Sequence, residues 1–270
     1  MASEKKRLDI LLLDRGCFKS REKAKSAIMA GIVSVNGKMV DKAGTMVRED
    51  CHITVREDPI PYVSRGGLKL QRALDLFEVD VYGKCVLDIG ASTGGFTDCL
   101  LQRGAKKVYA VDVGYGQLDW GLRNDKRVVV MERTNIRYVK PEDIGELCDM
   151  AVIDVAFISL ALVLNVVDTL LKPECGVIAL IKPQFEAGRD KVGKGGIVRD
   201  AAVHKEVVQN IYEFLVLMGF EIKGLTYSPI TGGSGNIEYL IYAGKGKNGQ
   251  EKDIQSAIDY VIEESHRVFS

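Results

Sequence analysis

The chain has 270 residues, 46% of them hydrophobic and 27% charged, with 37 Lys plus Arg against 37 Asp plus Glu. These values exclude a disordered, collagen-like or coiled-coil chain and suit one large globular domain or two unequal ones. A net charge of zero means that any acidic partner must be met by a local basic patch.

Such a patch opens the chain, where residues 1–48 hold 11 basic and five acidic side chains, a local excess of +6. Leu8, Leu11 and Leu12 make a helical apolar stripe that Gly16 closes. Ser20 is placed to cap a second helix with Ala24, Ala27 and Ile28 on its inner face and Gly31 at its end. Residues 32–35 read as a strand and Asn36-Gly37 as a hairpin turn; Val40, residues 46–47 and residues 53–55 add short strands to a small sheet. Lys6, Arg7, Arg15, Lys19, Ser20, Arg21 and Lys25 gather on and around the two helices and their turn. A basic face of this kind suits either RNA phosphates or plain solvent. The acids and prolines of residues 57–61 mark a linker, which divides the chain into units 1–58 and 64–270 joined by residues 59–63.

The second unit alternates strand and helix. Strands are expected at 85–88, 107–112, 128–131, 150–154 and 176–181, with helices at 96–102 and 202–218. Two late strands, 221–227 and 237–242, should form an antiparallel edge hairpin. The fold class is therefore α/β, a Rossmann-like, doubly wound sheet behind a small N-terminal α+β domain. The apolar run 150–167 is long enough to suggest a membrane span, but Asp154, Ser159 and Asn165 interrupt it. A strand running into an amphipathic helix at 159–171 explains it better, and no membrane partner is expected. The six cysteines contain no Cys-x-x-Cys pair and there are only three histidines, so no metal site is expected. The charged N-terminus lacks the apolar core of an export signal, which suits reduced thiols in the cytoplasm.

The first strand of this unit runs into Asp88-Ile-Gly90-Ala91-Ser92-Thr93-Gly94-Gly95-Phe96, a glycine turn at a helix N-terminus. Asp112 ends the next strand, 22 residues after Gly90, where an acid can bond ribose hydroxyls. A dinucleotide site would favour Gly-x-Gly-x-x-Gly around a pyrophosphate. Here the spacing is Gly-x-x-x-Gly-Gly behind an acid, which matches S-adenosylmethionine (SAM), a cofactor with a cationic tail and no phosphate. Asn135, after the third strand, is a candidate for the adenine edge. Four charged residues should also meet at the strand ends: Lys69 on a helix before the first strand, Asp154 and Lys182 after apolar strands, and Glu238 beginning the last. Arg189, Lys191 and Lys194 lie in a loop with four glycines that suits either an RNA clamp or a flexible surface.

The N-terminal pattern, Arg7-Leu-Asp through Lys19-Ser-Arg21 to Val33-Ser-Val35-Asn36-Gly37, resembles the small RNA-binding domain named after a small-subunit ribosomal protein. The four charged residues resemble the Lys-Asp-Lys-Glu tetrad of the FtsJ-like ribose 2′-O-methyltransferases. With Ser-Arg-Gly-Gly-Leu-Lys69 and Lys182-Pro-Gln-Phe-Glu, the whole chain looks like the TlyA-type, haemolysin-A family. The resemblance implies SAM-dependent methylation of cytidine 2′-hydroxyls in rRNA or ribosomal subunits. Lys182 would be the general base and must be neutral to act. Lys69 would disfavour its protonation or hold the hydroxyl, and Asp154 and Glu238 would orient the lysines. A non-catalytic RNA-binding protein is the alternative, with a haemolysin disfavoured for want of a membrane-active segment.

Overall fold

The computed structural model describes residues 5–18, 20–29, 31–55, 60–246 and 254–269, so Lys19 lies outside the described residues. The N-terminal unit contains β1 (Lys5–Arg7), α1 (Leu8–Asp14), α2 (Arg21–Met29), β2 (Val33–Val35), β3 (Lys38–Met39), β4 (Met46–Arg48) and β5 (Ile53–Val55). The expected stripes converge, with Leu8, Leu12, Ala24 and Ile28 wholly buried in a core of their own. Ser20 caps α2 by accepting the Lys23 N–H at 3.3 Å. Asn36 and Gly37 both adopt positive φ, 51° and 78°, as a tight two-residue hairpin requires. The strands form two small sheets rather than one, because β1 pairs with β4 while β3, β2 and β5 make the other. The charged Lys5–Arg7 gave no strand signal in the sequence; its pairing is a backbone property of an edge.

Asp9 is the charged centre of this unit. It is wholly buried, 3.0 Å from Arg7 and 2.9 Å from Arg21. The Arg7 hydrogen bonds, with those of Arg21, overcome burial and hold its pKa down to about 2. The unfolded value is near ~3.9. The contribution to stability is therefore full above that value and is lost as the pH falls towards 2. In acid titrations followed by circular dichroism, Asp9→Asn should be the less stable protein at neutral pH, and its deficit should shrink below pH ~4. A constant deficit across the titration would contradict this role.

The second unit contains α3 (Gly66–Leu76), β6 (Cys85–Ile89), α4 (Gly95–Gln102), β7 (Lys107–Val111), α5 (Trp120–Arg123), β8 (Val128–Met131), α6 (Pro141–Ile144), β9 (Cys148–Ile153), α7 (Leu160–Thr169), β10 (Leu171–Ile181), α8 (Pro183–Glu186), α9 (Ala201–Leu217), β11 (Glu221–Tyr227), β12 (Tyr239–Lys245) and α10 (Ile254–Phe269). One sheet runs β11-β12-β10-β9-β6-β7-β8, with β12 antiparallel to both neighbours and the other pairs parallel. Side chains alternate between its faces. Leu87, Ile89, Ala151 and Ile153 join α7, α9 and α10 in one core layer; Val86, Met150 and Val152 join α3 and α4 in the other. The chain winds outward from β6 to β8, then returns to β9 on the other side of β6. That reversal opens a crevice at the carboxyl ends of β6 and β9.

Three features depart from the sequence reading. β10 starts at Leu171, with an irregularity before Gly176 where the polar Lys172-Pro173-Glu174 concealed the strand. Helix α10 was not foreseen, although Ile258, Val261 and Ile262 have helical spacing and are buried. Residues 60–63, read as linker, pack on the second unit: Tyr62 is buried in its core and the Val63 N–H donates to Asp98 at 2.8 Å. The apolar run from residue 150 is β9 followed by α7, as expected. Among the described residues no helix is long and apolar enough to cross a membrane.

Candidate active site

The four predicted charged residues converge. Asp154 follows β9, Lys182 follows β10, Lys69 rides on α3 and Glu238 precedes β12. Lys69 Nζ lies 2.6 Å from Glu238 Oε2 and 3.9 Å from Asp154 Oδ2. Lys182 Nζ forms an ion pair with Asp154 Oδ1 at 2.5 Å. Asp154 thus bridges the two lysines, and the two acids balance their charge. Burial alone would lower the Lys69 pKa, but the carboxylates of Asp154 and Glu238 outweigh it and hold the group above its ordinary value. Burial opposes ionisation of Asp154, yet Lys182 and Lys69 keep its pKa below the usual carboxylate range. Lys69 is therefore a fixed ammonium whose charge Glu238 offsets. A fixed ammonium 3.9 Å from Asp154 is compatible with either expected role of Lys69, disfavouring protonation of Lys182 or holding the hydroxyl.

The glycine turn lies beside this cluster. Gly90 has φ +84°, and a Cβ there would stand 2.3 Å from the Asp154 carbonyl oxygen. Only glycine lets the two loops approach so closely. Asp112 accepts the Ser92 N–H at 2.8 Å and the Gly114 N–H at 2.7 Å, and so shapes the turn from the next strand. Two cavities meet at Gly90, Ser92 and Asp154. One, of about 590 Å³, also touches Asp112, Asn135, Ile136, Phe157 and Lys182. The other, of about 680 Å³, also touches Lys69, Ala91, Thr93, Gly95 and Phe96. An acid at a strand end, apolar walls and a second carboxylate suit a nucleoside with a cationic tail, so the residues fit SAM.

Two predicted cofactor residues line neither cavity. Asp88 is wholly buried and accepts the Thr97 hydroxyl at 2.6 Å, which fastens the first turn of α4. Burial pushes its pKa up to about 7. Gly94, with φ +96°, packs against Leu122 and Leu118 behind the turn. Asn135 lines the smaller cavity, but its carbonyl oxygen caps the following turn by accepting the Arg137 N–H at 3.1 Å. Glu186 of the Lys-Pro-Gln-Phe-Glu segment accepts the Ser159 hydroxyl and the Leu160 N–H, both at 2.8 Å, and so anchors the start of α7.

The predicted RNA platform divides. Arg7 and Arg21 are half-exposed and braced by Asp9, and Lys25 is half-buried on α2. Arg15 donates to the Cys51 carbonyl at 2.8 Å and also to the Glu49 carbonyl, so it ties α1 to the β4–β5 turn. Lys6 pairs with Asp14 at 2.6 Å and Glu49 at 3.3 Å. In the glycine-rich loop, Lys191 pairs with Glu206 at 2.6 Å and Gly193 bridges Ile197. The loop therefore has structure of its own.

The sequence reading missed several cavity residues. Arg65 and Gln117 line the larger cavity, and so do Met29, Asp41 and Lys42 of the N-terminal unit. Phe157, 90% exposed with φ +63°, packs 4.9 Å from Phe185 beside the smaller one. The glycines around Asp112 could have pointed to Gln117, and Arg65 lies within the Ser-Arg-Gly-Gly-Leu-Lys69 motif; nothing local marked the others.

Comparison with known proteins agrees with this geometry. The FtsJ-like methyltransferase family matches residues 62–245, and the S4 domain matches residues 6–50. A Bacillus subtilis protein provisionally named as the rRNA methyltransferase YqxC is 55% identical over 271 residues, covering 99% of this chain and 96% of its own. The 16S/23S rRNA (cytidine-2′-O)-methyltransferase TlyA of Mycobacterium tuberculosis is 45% identical over 237 residues, 87% of this chain and 88% of that one. A solved Streptococcus thermophilus structure, provisionally described as a hemolysin, superposes with a TM-score of 0.78 at 46% identity, covering 99% of this chain and 98% of that one. The chain belongs to the FtsJ-like methyltransferase family and carries an S4 domain ahead of its catalytic unit.

Proposed function

We propose that this chain methylates the 2′-hydroxyl of cytidine in the rRNA of the small subunit, the large subunit or both. The observation that carries the reading is the convergence of Lys69, Asp154, Lys182 and Glu238 beside the glycine-turn cavity. A relative at 45% identity bears this activity in its name. Bound SAM would supply an electrophilic methyl group. The turn from Gly90 to Phe96 would cradle it, Asp112 would bond its ribose, and Asn135 could offer its amide nitrogen to the base. Lys182 would take the proton from the 2′-hydroxyl, freeing that oxygen's electron pair to act as the nucleophile. Asp154 holds Lys182 in place, while Lys69, fixed by Glu238, holds the hydroxyl. Most of the acceleration comes from this positioning.

In this reading residues 1–58 dock on RNA through Arg7, Arg21 and Lys25, and residues 64–270 carry out the transfer in the cytoplasm. The test is mass-spectrometric nucleoside mapping of rRNA from cells with and without the protein, with labelled methyl transfer from SAM in vitro. An unchanged 2′-O-methylcytidine content and no transfer to rRNA or ribosomal subunits would refute it. Asp112→Ala should weaken SAM binding by about 1.5–3 kcal/mol, the value of a charge-assisted hydrogen bond. Calorimetry reads this directly, and unchanged affinity would remove Asp112 from the cofactor site.

A further inference from the structure

The larger cavity has walls from both units, and one residue of the N-terminal unit touches two supports of the charged cluster. Asp41 Oδ2 lies 3.0 Å from Arg65 Nη2, with the two side chains 31% and 14% exposed. Arg65 immediately precedes α3, one turn before Lys69, and its charge bears on both Lys69 and Asp154. Arg65 is also held by the Met39 sulfur at 3.2 Å and by close packing against Gly31. Asp41's second contact is the turn before β12. A Cβ on Gly233 would stand 2.6 Å from Asp41 Oδ2, and one on Gly232 would stand 2.5 Å from Glu238 Oε1. The glycine pair therefore lies in close contact with Asp41 on one side and Glu238 on the other, with no room for a side chain at either position. From Asp41, one route reaches Lys69 through Arg65 and α3. The other reaches Glu238 through the two glycines.

We infer that Asp41 of the N-terminal unit is a positioning residue for methyl transfer, setting Arg65 and the Gly232–Gly233 turn so that Lys69 and Glu238 keep their places. The inference rests on the methyltransferase reading above. Its physical basis is that sub-ångström placement governs group transfer, whereas Asp41 need touch neither the cofactor nor the reacting oxygen. The seating of the N-terminal unit then becomes part of the active-site geometry rather than only a means of holding RNA nearby.

The test uses the full chain and compares Asp41→Ala, Asp41→Asn, Arg65→Ala and the Asp41→Ala/Arg65→Ala pair. Single-turnover methyl transfer by Asp41→Ala should fall about 10–100-fold, the cost of a small misplacement. RNA affinity by anisotropy and SAM affinity by calorimetry should stay unchanged. Asp41→Asn keeps the shape against Gly233 and should lose less. The double variant should be slower than Arg65→Ala alone, but by less than the product of the two single losses, because only one of Asp41's two routes runs through Arg65. Amide exchange across residues 229–236 should quicken in Asp41→Ala, a readout that does not depend on turnover. An unchanged rate, or unchanged exchange in that segment, would overturn the inference. A loss expressed wholly as weaker RNA binding would also overturn it and make Asp41 part of the RNA surface. A wild-type protein that transfers no methyl to rRNA would instead sink the functional reading, and the exchange comparison would still decide whether Asp41 clasps the turn.

Discussion

Lys182→Ala is expected to lose methyl transfer by about 10²–10⁴-fold, the range for a positioned general base, while the fold and SAM affinity persist. Lys182 lines the smaller cavity, and its ion-pair partner Asp154 keeps Lys69 3.9 Å away when Lys182 is gone. Lys182→Arg separates two roles. A guanidinium can still pair with Asp154 but stays protonated, so it can replace the counter-ion and not the base. Both variants should show a loss in that range in a single-turnover assay with labelled SAM. An active Lys182→Arg protein would show that the lysine serves only as a charge.

Glu238→Ala should cost about 3–5 kcal/mol of folding stability as well as activity, because it strips a buried ammonium of its nearest partner. Lys69 and Glu238 side chains are only 7% and 3% exposed, so water cannot replace the lost carboxylate in place. The pair exchanged together, Lys69→Met with Glu238→Leu, should regain most of that stability and remain inactive, since apolar groups of similar volume avoid the desolvation cost. Urea unfolding of these two variants beside the wild type measures this. A Glu238→Ala protein as stable as wild type would mean that the site opens to solvent around Lys69.

Much of this site was legible because its parts fall where a local pattern ends. β-Branched runs stop at Asp112, Asp154 and Lys182, and the glycine turn lies between a strand and a helix, so each residue announced its own place. Charge alone was a poorer guide. Arg15 and Lys6 looked like free cations on an exposed face, but a guanidinium is equally good at gathering carbonyls, and Lys6 is close to two acids. Asp88 looked like a ligand contact and is a buried fastener, since β6 is covered on both faces and its carboxylate is taken by Thr97 of α4. Met29, Asp41 and Lys42 were invisible as cavity residues because nothing in their neighbourhood encodes which surface of the other unit they will meet.

The ion pair between Lys69 and Glu238 joins positions 169 residues apart, and Glu238 is set in place by β12, which must slot between β10 and β11. Contacts so distant along the chain carry a large closure cost and tend to form late. A chain still emerging from the ribosome therefore has no complete cluster until residues 238–245 have been released and β12 has paired with β10. Catalytic competence is in that sense a certificate of completed synthesis, and truncation anywhere before β12 removes the activity however well the earlier strands have folded.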